Sequence, residues 1–180
     1  MRWSKLKQLV EDRMADSLQR RVEVHSTWYR RLGHDHLGRT WITIDKHEVV
    51  NMCDLRYWNQ YAPLMSEIRA ANNATDYRDP AQRAQYYAAY DQAEALMHQQ
   101  GVYDRGDCNR LLASYLHLSV DDAFLSANVL IRALAMLDSR LGKRRLRTLQ
   151  LSDDEHPLVR QFYALRCEAE GIEAQTTAAA

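Results

Sequence analysis

Asn128-Val-Leu-Ile-Arg-Ala-Leu-Ala-Met-Leu137 and His156-Pro-Leu-Val-Arg-Gln-Phe-Tyr-Ala-Leu165 are two copies of one pattern, and they decide the fold of the last third of the chain. The residues that recur at an offset of 28 are Leu130, Ile131, Arg132 and Leu137, which return as Leu158, Val159, Arg160 and Leu165. Their three- and four-residue steps are typical of a helix with one buried face. The repeat therefore predicts two helices, at 128–142 and 156–171, that pack their apolar stripes together.

Apolar residues in the N-terminal third follow two different periodicities, one helical and one of the strand type. Residues 3–18 place apolar side chains at helical spacing, whereas residues 22–29 and 39–45 alternate as half-buried strands do. The short loop between these strands contains glycine, which predicts an antiparallel hairpin in which Val22, Val24 and Trp28 face the core.

Residues 48–52 have two interpretations. They form a third strand after a tight turn, or they belong to a helix that Asp45 caps with Glu48 as its capping-box partner. We favour the strand, because Val49 and Val50 are better strand formers than helix formers.

Helix signals dominate the rest of the chain. Apolar residues at 55–68 follow one helix face, although Pro63 is expected to kink or interrupt that helix. A polar linker follows at 72–79. Capping residues predict the remaining helix boundaries. Asp79 and Pro80 begin a helix that ends at Gly101, and Asp107 begins a helix at 107–117. Ser119 begins a short helix, and the last helix lies between Ser152 and Gly171.

These elements predict an α+β protein with an N-terminal helix, a small antiparallel sheet of two or three strands and a larger helical region. The expected organisation is a helix and sheet at 1–61, a helical region at 62–174 and a flexible tail at 175–180. One compact domain is the alternative.

Composition excludes several classes of protein. The 24 basic residues equal the 24 acidic ones, so the chain lacks the overall positive charge of a typical nucleic-acid binder. The three cysteines are widely spaced and form no Cys-x-x-Cys pair, which argues against a disulfide framework or a structural zinc site. The sequence shows no signal peptide and no membrane span, so a cytoplasmic location is expected.

The repeated region resembles the second helix of short HEAT-like repeats through its Pro-Leu-Val-Arg pattern and the apolar residues that follow. This resemblance covers only the last third of the chain, and its 28-residue offset is shorter than that of ordinary HEAT units. It implies stacked helix pairs and a surface for binding protein, and no enzymatic activity.

Most of the chain also resembles a family of small uncharacterised bacterial proteins. The shared motifs are Met1-Arg-Trp-Ser-Lys-Leu-Lys, Arg21-Val22 with His25-Ser-Thr27 and Tyr29, Gly38-Arg39 with Trp41-Ile-Thr-Ile-Asp45, and Gly142-Lys-Arg-Arg-Leu146. This second resemblance implies a bacterial cytoplasmic protein and carries no assigned function.

One candidate ligand or catalytic site lies on the predicted sheet. If the valines face the core, His25 and Tyr29 lie on the opposite face, where Arg39 and Asp45 of the second strand can join them. A histidine, a carboxylate and a guanidinium together can bind an anion or perform acid–base chemistry. The competing interpretation is a solvated sheet face stabilised by cross-strand pairs.

We expect no metal and no cofactor. His34-Asp35-His36 offers two imidazoles in a loop, but a metal site needs three or four convergent ligands, and loop pairs of this kind are usually incidental. The chain contains no glycine-rich phosphate loop, nucleophile elbow, zinc-protease helix or kinase signature.

A basic segment is the candidate nucleic-acid site. It comprises Arg140, Lys143, Arg144, Arg145 and Arg147, and Arg132 extends it backward. Such cations can contact phosphates. They can equally stabilise a helix C-terminus and pair with nearby acids, for example Arg132 with Asp138.

A non-enzymatic protein-interaction module is the leading functional hypothesis, acting through the C-terminal helices or the tyrosine-rich helix 80–100. The partner is another protein or a second copy. Nucleic-acid binding and a small-ligand or acid–base site around His25 are the alternatives.

Overall fold

A computed structural model describes residues 1–29 and 37–173. The elements in chain order are Trp3–Arg13 (α1), Val22–Trp28 (β1), Gly38–Ile44 (β2), His47–Cys53 (β3), Asp54–Ala71 (α2), Arg83–Gln99 (α3), Arg105–Tyr115 (α4), Val120–Phe124 (α5), Val129–Leu137 (α6), Lys143–Thr148 (α7) and Pro157–Glu170 (α8). This arrangement confirms the predicted α+β class. The predicted domain boundary at 61/62 falls inside α2, and the predicted tail lies outside the described residues.

The sheet is antiparallel in the order β1-β2-β3, which confirms the third strand. Asp45 and Lys46 both have positive φ and join β2 to β3 in a two-residue turn, the conformation that matches the twist of a hairpin. Val22 and Val24 are buried beneath the helices as predicted, but Trp28 is 47% exposed instead of buried. The opposite face of the sheet is largely polar and points away from the helices.

Helices α1 and α6 both end earlier than their sequence patterns predict, because one backbone contact joins the segments that follow them. Met14 pairs with Asp138 as an isolated antiparallel bridge, in which Ala15 N–H donates to Leu137 O and Ser139 N–H donates to Arg13 O. The predicted helix 3–18 therefore stops at Arg13 and is followed by a 3-10 turn at Asp16–Leu18. The predicted helix 128–142 likewise stops at Leu137.

Three predicted helix starts were wrong. Asp79 does not begin α3, which starts at Arg83. Its side chain accepts a hydrogen bond from Ala81 N–H and so stabilises the turn that precedes the helix. Asp104 caps α4 in place of Asp107, and His156 caps α8 in place of Ser152. The helix at Pro63 runs on without ending.

The main core forms around α6, whose side chains are almost all buried. Leu130, Leu134, Leu137 and Leu141 are 0–1% exposed, and Phe162 and Leu165 of α8 pack against this stripe. The predicted pairing of the repeated helices is confirmed. Gly171 has the positive φ that ends a helix in the left-handed conformation, and it terminates α8 as predicted.

Helices α2 and α3 form an antiparallel hairpin with a second, smaller core. Tyr57 and Tyr61 of α2 and Ala93 and Met97 of α3 are buried between the two helices. Asp54 fixes the base of this hairpin, because its buried carboxylate accepts hydrogen bonds from Gly38 N–H at 2.7 Å and Arg105 N–H at 2.8 Å. The hairpin is thereby joined to β2 and α4, while its far end extends from the main core.

Candidate functional site

The outer face of the sheet brings together two of the four residues predicted there. The His25 ring stacks on Trp41 with centroids 5.0 Å apart, and its Nε2 lies 3.1 Å from Thr43 Oγ1. The Arg39 guanidinium lies 4.1 Å from the Trp41 ring centroid and donates to Glu48 at 2.9 Å. These contacts are cross-strand pairs of the kind that stabilise a sheet.

The other two predicted residues make their side-chain contacts with other partners. Asp45 accepts two hydrogen bonds from Arg21, which also pairs with Glu168, and these bonds hold the pKa of Asp45 below its ordinary value. The Tyr29 hydroxyl lies 3.6 Å from Cys53 Sγ, and burial raises the pKa of Tyr29. A sheet-face ligand site therefore has fewer convergent groups than its sequence suggests. The His34-Asp35-His36 segment lies outside the described residues.

The predicted basic segment is partly neutralised by acidic partners. Arg132 lies apart from it and pairs with Glu155, 2.9 Å away, not with Asp138. The paired cations of the segment and their partners are Arg140 with Asp138, Lys143 with Glu170, and Arg145 with Asp121. This pairing lowers the positive charge that Arg144 and its neighbours can offer to phosphates.

The hairpin presents a cluster of aromatic side chains around one arginine. The Arg69 guanidinium of α2 lies 3.5 Å from the ring centroid of Tyr86 and 4.5 Å from that of Tyr90, both on α3. Trp58 precedes Arg69 by 11 residues, which is about three helical turns, so both lie on the same side of α2. We define the aromatic face as Trp58, Arg69, Tyr86, Tyr87 and Tyr90.

The aromatic face is unusually open for its residue types. Trp58 is 51% exposed, Tyr87 52% and Tyr90 38%. The rings of Tyr87 and Tyr90 stack with centroids 6.3 Å apart, and this mutual contact orders them without burying them in the core. Large side chains clustered in this way on a soluble protein usually mark an interaction surface.

Two charged residues flank Tyr87 on α3, one of them one helical turn before it and the other one turn after it. Arg83 precedes Tyr87 by four residues and Asp91 follows it by four, so a cation, an aromatic ring and an anion lie in a row on one face. All three are exposed. The Arg83 guanidinium donates to the backbone carbonyls of Tyr77 and Arg78, and neither Arg83 nor Asp91 forms an ion pair within residues 1–29 and 37–173. We call this row the α3 stripe.

The sequence predicts a tyrosine-rich helix at 80–100, but it does not show that these tyrosines contact Arg69 of α2. Residues 72–82 separate the two helices, so the pairing across the hairpin is a tertiary feature. The four-residue spacing of Arg83, Tyr87 and Asp91 was the signal that the sequence did contain.

Comparison with known proteins places the chain in a family without adding a function. Within the described residues no helix is both long and apolar enough to cross a membrane. No curated protein and no solved structure matches the chain. A model of the SF0329 protein family matches residues 2–167, which is most of its length. The chain is therefore a member of the SF0329 protein family.

Proposed function

We propose that this protein is a non-enzymatic interaction module that binds a second copy of itself through the aromatic face. The observation that carries this proposal is the exposure of Trp58, Tyr87 and Tyr90 on the hairpin, where Tyr90 also packs against Arg69. Tryptophan, tyrosine and arginine are the residues that most often supply the binding energy of protein interfaces. Tyrosine and tryptophan also lose little side-chain entropy when they become buried.

The α3 stripe supports a second copy as the partner. In a two-fold dimer the same patch of both chains meets, and each residue contacts its counterpart or a complementary one. If two copies of α3 pack antiparallel with Tyr87 near the two-fold axis, Arg83 of each copy faces Asp91 of the other. Both charges then gain an ionic partner, and the tyrosines become buried at the centre.

The other parts of the molecule support the hairpin. The direct packing of α6 against α8 is consistent with HEAT-like stacking, and in this proposal these helices form the scaffold.

Cys53, Cys108 and Cys167 are free thiols, which favours a reducing compartment such as the bacterial cytoplasm.

Sedimentation equilibrium of the intact protein tests this function. Between about 1 and 200 µM the mean mass is expected to rise from 21.0 kDa toward twice that value, because dimerisation follows mass action. The same series with added salt separates the aromatic contribution from that of the charged pairs. A mass that remains at 21.0 kDa over the whole range would contradict self-association.

A further inference from the structure

Three metal-ligating side chains converge where α3 meets α4. Glu94 and His98 are one helical turn apart on α3, and Asp107 lies in the first turn of α4. His98 Nε2 is 3.3 Å from Asp107 Oδ2 and 3.9 Å from Glu94 Oε1, and one ligand atom from each residue lies within 4.8 Å of the others. These three residues were not expected to form a metal site from the sequence, where they form no recognised metal-binding motif.

The spacing of these atoms is suited to a divalent ion of the first transition series. Zinc binds histidine nitrogen and carboxylate oxygen at about 2.0–2.2 Å, so neighbouring ligands in a tetrahedral site lie about 3.3–3.6 Å apart. The His98–Asp107 distance already has this value, and Glu94 needs only a small side-chain rotation to reach it. Glu94 has room for that rotation, since its side chain is 45% exposed.

Two acidic side chains and one histidine converge in the cluster, and one of the acids, Asp107, also pairs with Arg110. Two carboxylates face a single imidazole nitrogen, which in its neutral form can donate only one hydrogen bond. A neutral imidazole is the form that binds metals.

The Asp107 side chain is fixed by its neighbours, but its Oδ2 atom remains available to bind an ion. Its side chain is 7% exposed, and Oδ1 pairs with Arg110 while Oδ2 faces His98. The Arg110 side chain is 74% exposed and can remain on Oδ1 when a cation binds to Oδ2. The Tyr103 ring packs against His98 with centroids 4.9 Å apart, and this contact limits movement of the imidazole.

We propose that Glu94, His98 and Asp107 form a binding site for a divalent transition-metal ion, with Zn²⁺ as the best match and water completing the coordination. One nitrogen and two oxygen ligands suit zinc, manganese or iron(II) better than calcium or magnesium, which prefer oxygen alone. The ion links α3 of the hairpin to α4 of the main core. Its binding therefore fixes the aromatic face relative to the rest of the molecule.

Calorimetric titration of the chelator-treated, full-length protein with ZnCl₂ tests this site. The expected result is one ion per chain, with affinity at least about 10-fold lower in Glu94→Gln and in His98→Ala. His117→Ala is the matched control, because His117 is exposed beyond the end of α4, and it is expected to bind zinc as the native protein does. Substitution with Co²⁺ gives a second readout through the visible absorption of the bound ion.

Thermal unfolding distinguishes this site from adventitious binding to other histidines. Zinc is expected to raise the melting temperature of the native protein and of His117→Ala, but not of His98→Ala, because only binding to the folded state stabilises it. Glu94→Gln keeps the test valid if His98→Ala fails to fold, since Glu94 is partly exposed. Absence of zinc binding, or zinc binding of native affinity in Glu94→Gln, would overturn the proposal.

Discussion

Replacement of Asp138 by alanine is expected to lower the free energy of unfolding by about 3 kcal/mol at neutral pH. The carboxylate is fully buried, and it accepts hydrogen bonds from the Tyr115 hydroxyl at 2.7 Å and from the Arg140 guanidinium at 2.7 Å. Its backbone also forms the bridge to Met14. The loss lies at the lower end for a buried pair, because the side chain of Arg140 is 36% exposed and can return to water.

The pH dependence of this loss identifies its cause. Burial alone would raise the pKa of Asp138, but the hydrogen bonds from Arg140 and Tyr115 outweigh burial and hold this pKa below its ordinary value. A lowered folded-state pKa stabilises the protein above the pKa of the unfolded state, and this contribution disappears as pH falls through the folded-state pKa. The difference between native protein and Asp138→Ala should therefore shrink in acid.

Denaturant unfolding at neutral pH and at about pH 3 measures both effects. Tyr115→Phe is the matched variant, because it removes only the hydroxyl partner and is expected to cost about 1 kcal/mol. A loss below about 1 kcal/mol in Asp138→Ala, or a loss that does not change with pH, would show that this network contributes little to stability.

Replacing both Tyr87 and Tyr90 by serine is expected to weaken self-association by about 100-fold. Tyr87 and Tyr90 are large exposed aromatic residues of α3, and an interface loses about 1–2 kcal/mol or more for each central aromatic residue removed. The fold should tolerate the change, since both rings are partly exposed and the backbone carbonyl of Tyr90 still accepts from Tyr61. Sedimentation equilibrium of native and variant protein measures the difference.

Leu125→Ser is the control for a general effect of exposed apolar surface. Leu125 is 78% exposed just after α5, outside the hairpin, so its replacement should leave the dimerisation constant unchanged. An equal loss in Leu125→Ser and in the double tyrosine variant would point to nonspecific association. A native dimerisation constant in the tyrosine variant would place the interface elsewhere.

Much of the fold follows from the period of apolar residues. The leucine stripes of α6 and α8 and the alternation of β1 and β2 were predicted because burial acts directly on these residues. The third strand followed from Val49 and Val50. Boundaries were less predictable, because the Met14–Asp138 bridge joins segments 124 residues apart and ends two helices whose local sequences would continue.

The candidate sites depended more on tertiary structure than the fold did. Asp104 and Asp107 are both acceptable caps for α4, and only the folded chain shows that Asp104 caps the helix while Asp107 faces His98. Asp45 is not part of the sheet cluster because its carboxylate pairs with Arg21, which also pairs with Glu168. The spacing of residues in the sequence shows which side chains share one face of a helix or strand. It does not show which other helix or strand packs against that face.

Charge exchange across the α3 stripe tests the proposed self-association most directly. In Arg83→Asp and in Asp91→Arg, each two-fold dimer would bring like charges together, so each variant alone is expected to dimerise at least about 10-fold more weakly than the native protein. Mixing the two variants restores opposite charges at both contacts. Sedimentation of the equimolar mixture should therefore show a heterodimer of near-native affinity, whereas a mixture that dimerises no better than either variant alone would contradict the antiparallel α3 interface.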